Sequence, residues 1–216
     1  MNDEFVVYVH GMWMPGEEML FIKRHLEKHH GFDGQLFRYP SVSSSLDENA
    51  ERLAQCVSAL NADQVHLVGH SLGGVLALRM LSLHPESPAG RVVCIGSPLS
   101  GSRAADILHS TDWGSMILGR TISDGVVNEA ANLWAGAVTD QRDVGSIAGT
   151  TPIGLGRLIA DFQEPNDGTV AVSETRLSGI KDHICLSVSH SGMAVSSETA
   201  DQVAAFLKHG QFLKDT

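Results

Sequence analysis

The sequence predicts an α/β protein, a three-layer α/β/α sandwich on a mainly parallel sheet of about six strands. Two observations support this fold class. Short apolar runs rich in β-branched residues recur along the chain, and most are followed by segments with the spacing of an amphipathic helix. Strands that alternate with helices pair in parallel through right-handed crossovers. A chain of 216 residues with 43% apolar content can bury one substantial core, so we expect residues 1–216 to form a single domain.

The first half of the chain alternates strand and helix without a break. Ser45 is the expected cap of the second helix, and Gly31 is the expected end of the first. The carboxyl ends of parallel strands meet at one edge of the sheet, where sites of this architecture lie. The predicted strands cover 5–9, 35–39, 65–68 and 91–95, and the predicted helices cover 17–30, 46–60 and 72–84.

The alternation breaks between the fourth and fifth strands. Residues 101–142 hold short helical patterns and are too long for a simple connection, so we expect a small helical lid or cap insertion. Trp113 and Trp134 within it are candidate substrate contacts. Two more strands, at 144–149 and 184–188, and a helix at 196–208 complete the predicted fold.

Charge and composition exclude several classes of partner. The net charge of −10 and the absence of a Lys/Arg cluster argue against nucleic acid and against an anionic membrane surface. No run approaches the ~18 apolar residues of a membrane span, so no integral membrane segment is expected. The three cysteines, at 56, 94 and 185, lie in apolar runs and are predicted to be buried free thiols. The acidic start lacks a signal-peptide pattern, so the sequence predicts a cytoplasmic protein.

A GxSxG motif covers residues 69–73, between an apolar strand run and a helix-like run. In that context the serine sits on a sharp, strained turn with its hydroxyl exposed above the sheet. The flanking glycines leave room for the chain segments that pass close by. We therefore predict that Ser71 is a nucleophile.

A serine nucleophile needs a base and an acid. Of the eleven histidines, His190 is the candidate base, because it follows the sixth strand among small residues. His25, His29 and His30 are predicted on a helix surface, and His70 is expected to point away from the serine. The candidate acid is Asp167, which lies in a turn after the fifth strand. Asp161 and Glu164 nearby are rivals for this role.

Acyl transfer also requires hydrogen-bond donors for the oxyanion. The Leu72 N–H follows the nucleophile, and the Met12 N–H lies in the loop after the first strand, where a His-Gly pair allows a tight turn. Trp13 is the next possible donor. His10 and Trp13 are also candidate substrate contacts.

No cofactor or metal is expected. His66 and His70 have an i, i+4 spacing, but they straddle a strand and a turn instead of sharing one helix face. No glutamate follows His66 as zincin chemistry would require.

These motifs together resemble the α/β-hydrolase superfamily, in particular its bacterial lipase and esterase branch. The resemblance maps the nucleophile to Ser71, the acid to Asp167, the base to His190 and the oxyanion donors to Met12 and Leu72. It implies a chain that lacks the family's first two strands, and no calcium site, because the position two residues after the histidine is a glycine. The motifs lie at 7–12, 69–74, 96–102, 166–170 and 188–190.

The sequence thus predicts a serine hydrolase that cleaves a small-molecule carboxylic ester of short to medium chain length through an acyl-serine intermediate. A thioesterase, amidase or acyltransferase would use the same triad. A binding protein that keeps the fold without turnover is a further alternative.

Overall fold

One sheet of six strands organises the part of the chain that the structure describes, residues 4–101, 130–153 and 163–214. In this computed structural model the strand order is β2-β1-β3-β4-β5-β6, and every neighbouring pair is parallel. The predicted fold class is therefore confirmed. The strands are β1 Glu4–Val9, β2 Asp33–Phe37, β3 Gln64–His70, β4 Val92–Ile95, β5 Val144–Gly149 and β6 Asp182–Leu186.

Helices cover both faces of this sheet, which gives the three layers. The alternate side chains of β1 divide between two cores, with Val7 and Val9 in one and Val6 and Tyr8 in the other. The first core lies under α2, α3 and α4, and the second under α1, α6 and their neighbours. The helices are α1 Leu20–His25, α2 Leu46–Ser58, α3 Leu72–Leu83, α4 Ala130–Thr139, α5 His190–Met193 and α6 Ser197–His209.

The first helical segment changes its winding twice. A 3-10 turn, Glu17–Met19, leads into α1, and a π-helical turn, Leu26–His30, follows it. Gly31 ends the segment in the left-handed conformation, with φ of 77°, as predicted. Its N–H donates to the carbonyl of Leu26, five residues back, which is the π-helical hydrogen bond.

The cap of α2 agrees with the prediction, whereas the ends of two strands do not. Ser45 accepts from the Glu48 N–H while the Glu48 side chain accepts from the Ser45 N–H, so the predicted cap is a complete capping box. Strands β2 and β6, by contrast, begin and end two residues earlier than predicted. Both lie at the sheet edges, where incomplete burial makes the apolar pattern a weaker guide.

The cysteine prediction is correct in part. All three are free thiols, and Cys94 in β4 is fully buried, so that burial raises its pKa to about 12. Cys56 is only half-buried, and Cys185 is exposed, so the expectation that all three are buried is wrong. Cys185 lies in the edge strand β6, in which four of the five residues are only partly buried or exposed.

Helix α4 lies at the end of the stretch predicted to be a lid. Ala135 and Val138 pack into the core beneath α3, so this helix helps to cover the sheet. Residues 102–129 lie outside the described residues. The lid over 101–142 therefore stays a prediction. No helix within the described ranges combines the length and apolar character needed to cross a membrane.

Candidate active site

Ser71 lies at the turn between β3 and α3, with φ of 54° and ψ of −123°. A non-glycine residue in such a backbone conformation costs about 1–3 kcal/mol, so the surrounding contacts must hold it. The Ser71 N–H donates to the carbonyl of Ile95 at 2.8 Å, and the Gly74 N–H donates to the Ser71 carbonyl. The sharp turn predicted from the motif is therefore present.

The glycines of the motif are required by close approach of backbone. A Cβ at Gly69 would lie 2.4 Å from the backbone of Gly73, and a Cβ at Gly73 would lie 2.2 Å from the carbonyl oxygen of Val9. Gly11 also approaches the turn closely, because its Cβ would lie 3.2 Å from the Ser71 Cβ. The loop after β1 therefore lies directly beside the serine.

Asp167 and His190 form a buried hydrogen-bonded pair at the same sheet edge. The His190 Nδ1 lies 2.7 Å from the Asp167 Oδ2, and the aspartate side chain is almost wholly buried. With Nδ1 donating to the carboxylate, Nε2 is the nitrogen left to accept a proton from Ser71. No described residue is hydrogen-bonded to Nε2. Hydrogen bonds between catalytic groups are often long or poorly aligned until a substrate binds.

Backbone donors hold the carboxylate of Asp167 in place. Its Oδ1 accepts from the Thr169 and Val170 N–H groups at 2.8 and 2.7 Å. The backbone carbonyl of Asp167 accepts from the His190 N–H at 2.9 Å. Gly96, after β4, leaves the space for the pair, since a Cβ there would lie 3.2 Å from both interacting side-chain atoms.

Of the amides of residues 11–13 in the loop after β1, two have described hydrogen-bond acceptors and one has none. The Gly11 N–H donates to the Glu18 carboxylate and the Trp13 N–H donates to the Ser41 hydroxyl. The Met12 N–H has no hydrogen-bond partner within the described ranges, and the same holds for the Leu72 N–H at the start of α3. These are the two amides expected to stabilise an oxyanion.

His10 belongs to the framework of this loop. It is buried and stacks on Tyr39 with ring centroids 4.2 Å apart. Its Nε2 accepts from the Tyr39 N–H, so its Nδ1 carries the proton and donates to the Gly11 carbonyl. The Tyr39 hydroxyl in turn donates to the His10 carbonyl. Both ring nitrogens are thus engaged, and the geometry gives no support to His10 as a substrate contact.

Of the tryptophans predicted to contact substrate, Trp13 is the one whose side chain is described. Trp13 is exposed beside the loop, in a left-handed conformation with φ of 59°, and its side chain is accessible to a substrate. Trp113 lies outside the described residues, as does Asp161, and of Trp134 only the backbone in α4 is described. Asp167, the leading candidate acid, is bonded to His190.

Two residues that sequence reasoning missed support this site. Glu18 accepts from the N–H groups of Gly11 and Gly16 and so braces the loop. His70, which was expected to point away, packs its ring against that of His190. No local sequence pattern predicts either contact. The position of His70 directly before Ser71 is the one signal that places His70 near the site.

The assembled groups are of the types that acyl transfer requires. They comprise a strained serine, a histidine oriented by a buried aspartate and two amides without a described hydrogen-bond partner, all at one sheet edge.

A family model described as the alpha/beta hydrolase fold matches residues 7–118, more than half of the chain. Among curated proteins, a carbamate hydrolase named RutD, from Serratia proteamaculans (strain 568), is 36% identical over 59 residues. That alignment covers 27% of this chain and 22% of the relative, so the similarity to RutD is limited to one segment.

Solved structures with the same fold include two named as lipase or esterase. The lipase BlEst2 of Bacillus licheniformis, in its propeptide form, superposes with a TM-score of 0.79 at 18% identity, over 100% of this chain and 53% of the lipase. The carboxylesterase CesB (YbfK) of Bacillus subtilis gives 0.62 at 14% identity, over 97% and 85%. At these identities the similarity concerns the fold, and the chain spans about half the length of the lipase.

Proposed function

The chain belongs to the family of proteins with the α/β-hydrolase fold, and from that premise we propose that it is a serine hydrolase acting on carboxylic esters. In this proposal Ser71 is the nucleophile, His190 the base and Asp167 the acid that orients it. The substrate is a small-molecule acyl ester of short to medium chain length. The lipase and the carboxylesterase that share the fold support this substrate class.

The observation that carries the proposal is the 2.7 Å contact between Asp167 and His190 at the edge where Ser71 adopts its strained turn. Ser71 lies far from this pair in the sequence. A buried carboxylate bonded to an imidazole fixes the tautomer of the imidazole and stabilises the imidazolium cation. A solvated serine in an ordinary glycine turn would not require such a pair beside it.

The proposed reaction has two halves. His190 Nε2 takes the proton from the Ser71 hydroxyl as the oxygen attacks the ester carbonyl carbon. The Met12 and Leu72 N–H groups stabilise the resulting oxyanion. The intermediate collapses, and the alcohol leaves with the proton from His190. Water then attacks the acyl-serine with His190 again as the base, and the carboxylic acid is released.

The same groups would act on related acyl compounds. A thioester or an amide presents the same carbonyl carbon, and an alcohol in place of water would make the protein an acyltransferase. The partial similarity to a carbamate hydrolase adds carbamates to the compounds worth testing. A panel of matched ester, thioester, amide and carbamate substrates separates these activities by their kcat/KM values.

The experiment compares wild-type protein with Ser71→Ala in hydrolysis of a short-chain nitrophenyl ester and in labelling by a fluorophosphonate probe. We expect both signals in the wild type and the loss of both in Ser71→Ala. Ser87→Ala is the matched control, because that hydroxyl lies beyond the far end of α3 and donates to the Met80 sulfur.

Retained hydrolysis in Ser71→Ala would overturn the assignment of the nucleophile. A folded wild-type protein that never reacts with the probe would instead support a binding protein that keeps the fold without turnover.

A further inference from the structure

Three side chains converge on the outer face of the α1–α6 layer. The Nε2 atoms of His25 and His30 lie 2.8 and 2.9 Å from the same oxygen, Oδ1 of Asp201. The three atoms all lie within 4.8 Å of one another. The imidazoles are largely covered and the carboxylate is half-exposed, so the cluster is accessible from solvent on one side.

The π-helical turn explains why two histidines five residues apart share a face. In an α-helix such residues are about 140° apart around the axis, on different sides. The π-helical turn Leu26–His30 has hydrogen bonds that span five residues, so His25 and His30 come closer to one side of the segment, and their ring centroids lie 5.7 Å apart. Isolated π-helical turns are rare and occur frequently at functional sites. The unusual winding is therefore a second observation that singles out this place.

The donor atoms are those that a divalent transition metal prefers. Two imidazole nitrogens and one carboxylate oxygen are a common zinc ligand set, with a water as the fourth ligand. Tetrahedral ligands at zinc bond lengths are about 3.3 Å apart, so Asp201 need retreat only by about half an ångström from each histidine. We propose that His25, His30 and Asp201 form a binding site for a divalent transition metal of the zinc class.

The charge of the cluster suits a cation. Burial opposes ionisation of Asp201, but its hydrogen bonds with His30 and His25 outweigh that effect and lower the pKa of its carboxyl. On metal binding each imidazole moves its proton to Nδ1, and the metal replaces the two N–H···O contacts.

The bound metal would join two elements that are distant in the sequence. His25 ends α1 and His30 ends the π-helical turn, whereas Asp201 lies in the second turn of α6. A metal that binds the folded state tightly and the unfolded chain weakly stabilises the fold by mass action. Metal binding at this place does not depend on the proposed hydrolase activity.

Two other histidines provide matched controls. His29 lies beside the cluster, with its ring centroid 4.7 Å from that of His25, but it is not one of the three converging groups. His84 contacts Glu51 through Nε2 and Glu86 through Nδ1, so its partners lie on opposite sides of the ring and share no common point.

The test titrates the metal-free full-length chain with Zn²⁺ in a calorimeter and follows thermal unfolding in parallel. We expect one equivalent to bind, and a rise in Tm of about 5–10 °C at a free Zn²⁺ concentration a hundredfold above Kd. His30→Gln and Asp201→Asn should each weaken binding by about tenfold or more, since each removes one of three protein ligands. His29→Gln and His84→Gln should bind as the wild type does.

The exposed thiol of Cys185 is a competing zinc ligand, so the titration is repeated with Cys185→Ser, which should bind unchanged. Circular dichroism establishes that each variant is folded. Failure of the wild type to bind one equivalent, or undiminished binding in both His30→Gln and Asp201→Asn, would overturn the proposal. Neither outcome bears on the hydrolase assignment, because the readout is metal affinity.

Discussion

The imidazole of His70 lies against that of His190, with ring centroids 4.8 Å apart, and its Nε2–H donates to the His190 backbone carbonyl at 3.1 Å. Burial, and then the neighbouring His190, lower the pKa of His70 to about 3. His70 is therefore neutral at neutral pH. Its Nδ1 is buried without a hydrogen-bond partner in the part of the chain that the structure describes. This buried, uncharged ring positions the segment that carries the proposed base.

Replacing His70 by Phe should reduce kcat with little change in KM. The variant keeps an aromatic ring against His190 but removes the donor to its carbonyl. The loss of one such hydrogen bond is worth about 1–1.5 kcal/mol, or roughly tenfold in rate. The measurement is steady-state hydrolysis of an activated ester, with the free energy of unfolding determined in parallel. A merely structural role would lower stability and leave kcat of the folded protein at the wild-type value.

Asp167→Asn should lower kcat by about 10³–10⁴-fold, because an amide donates to His190 and so holds the wrong tautomer. The Asn oxygen still accepts from the Thr169 and Val170 N–H groups, so the loop should keep its conformation. Hydrolysis rates and circular dichroism together check both expectations. A folded variant within about tenfold of the wild-type rate would remove Asp167 from its proposed role.

Gly73→Ala should destabilise the protein by about 1–3 kcal/mol. The added Cβ would lie 2.2 Å from the backbone carbonyl oxygen of Val9, and backbone atoms cannot move aside as the end of a flexible side chain can. Gly136→Ala in α4 is the matched control, since no described atom lies within 4 Å of the new Cβ. The control should be neutral or more stable by up to about 1 kcal/mol, in line with helix propensity. Urea unfolding of the three proteins measures the difference, and equal stabilities would contradict the close approach.

Stability should fall as the pH drops below about 6.5. Burial lowers the pKa of His70 to about 3, and burial followed by the charge of Arg176 lowers that of His183 to about 4. Between these values and the ordinary histidine pKa of about 6.5, the unfolded chain binds more protons than the folded one. Each group then reduces the free energy of unfolding by at most about 1.4 kcal/mol per pH unit of acidification.

Comparison with His70→Phe isolates the contribution of His70 to this pH dependence. The variant lacks that titration, so the stability advantage of the wild type should shrink as the pH falls from about 6.5 towards 4. Urea unfolding at several pH values measures the difference. A difference that stays constant with pH would contradict the lowered pKa of His70.

Local patterns in the sequence determined much of this protein. The apolar runs predicted all six strands, because a buried strand requires a short continuous run of apolar residues that is visible in the local sequence. The cap at Ser45, the left-handed end at Gly31 and the strained turn at Ser71 follow from side chains and glycines within a few residues of each feature. Strand ends at the sheet edges were less accurate, since edge strands are covered on fewer sides.

The tertiary structure alone decided which distant groups meet. The ring of His70 against His190 and the convergence of His25 and His30 on Asp201 both depend on how the helices pack on the sheet. The sequence predicted His190 as the base and Asp167 as the leading acid with two rivals, and the structure shows Asp167 bonded to His190. A hydrophobic period specifies which face of an element is buried, but it does not specify which polar side chains face one another across elements. The sequence by itself therefore determined the fold and the candidate triad, whereas three-dimensional packing decided which further polar groups lie beside one another.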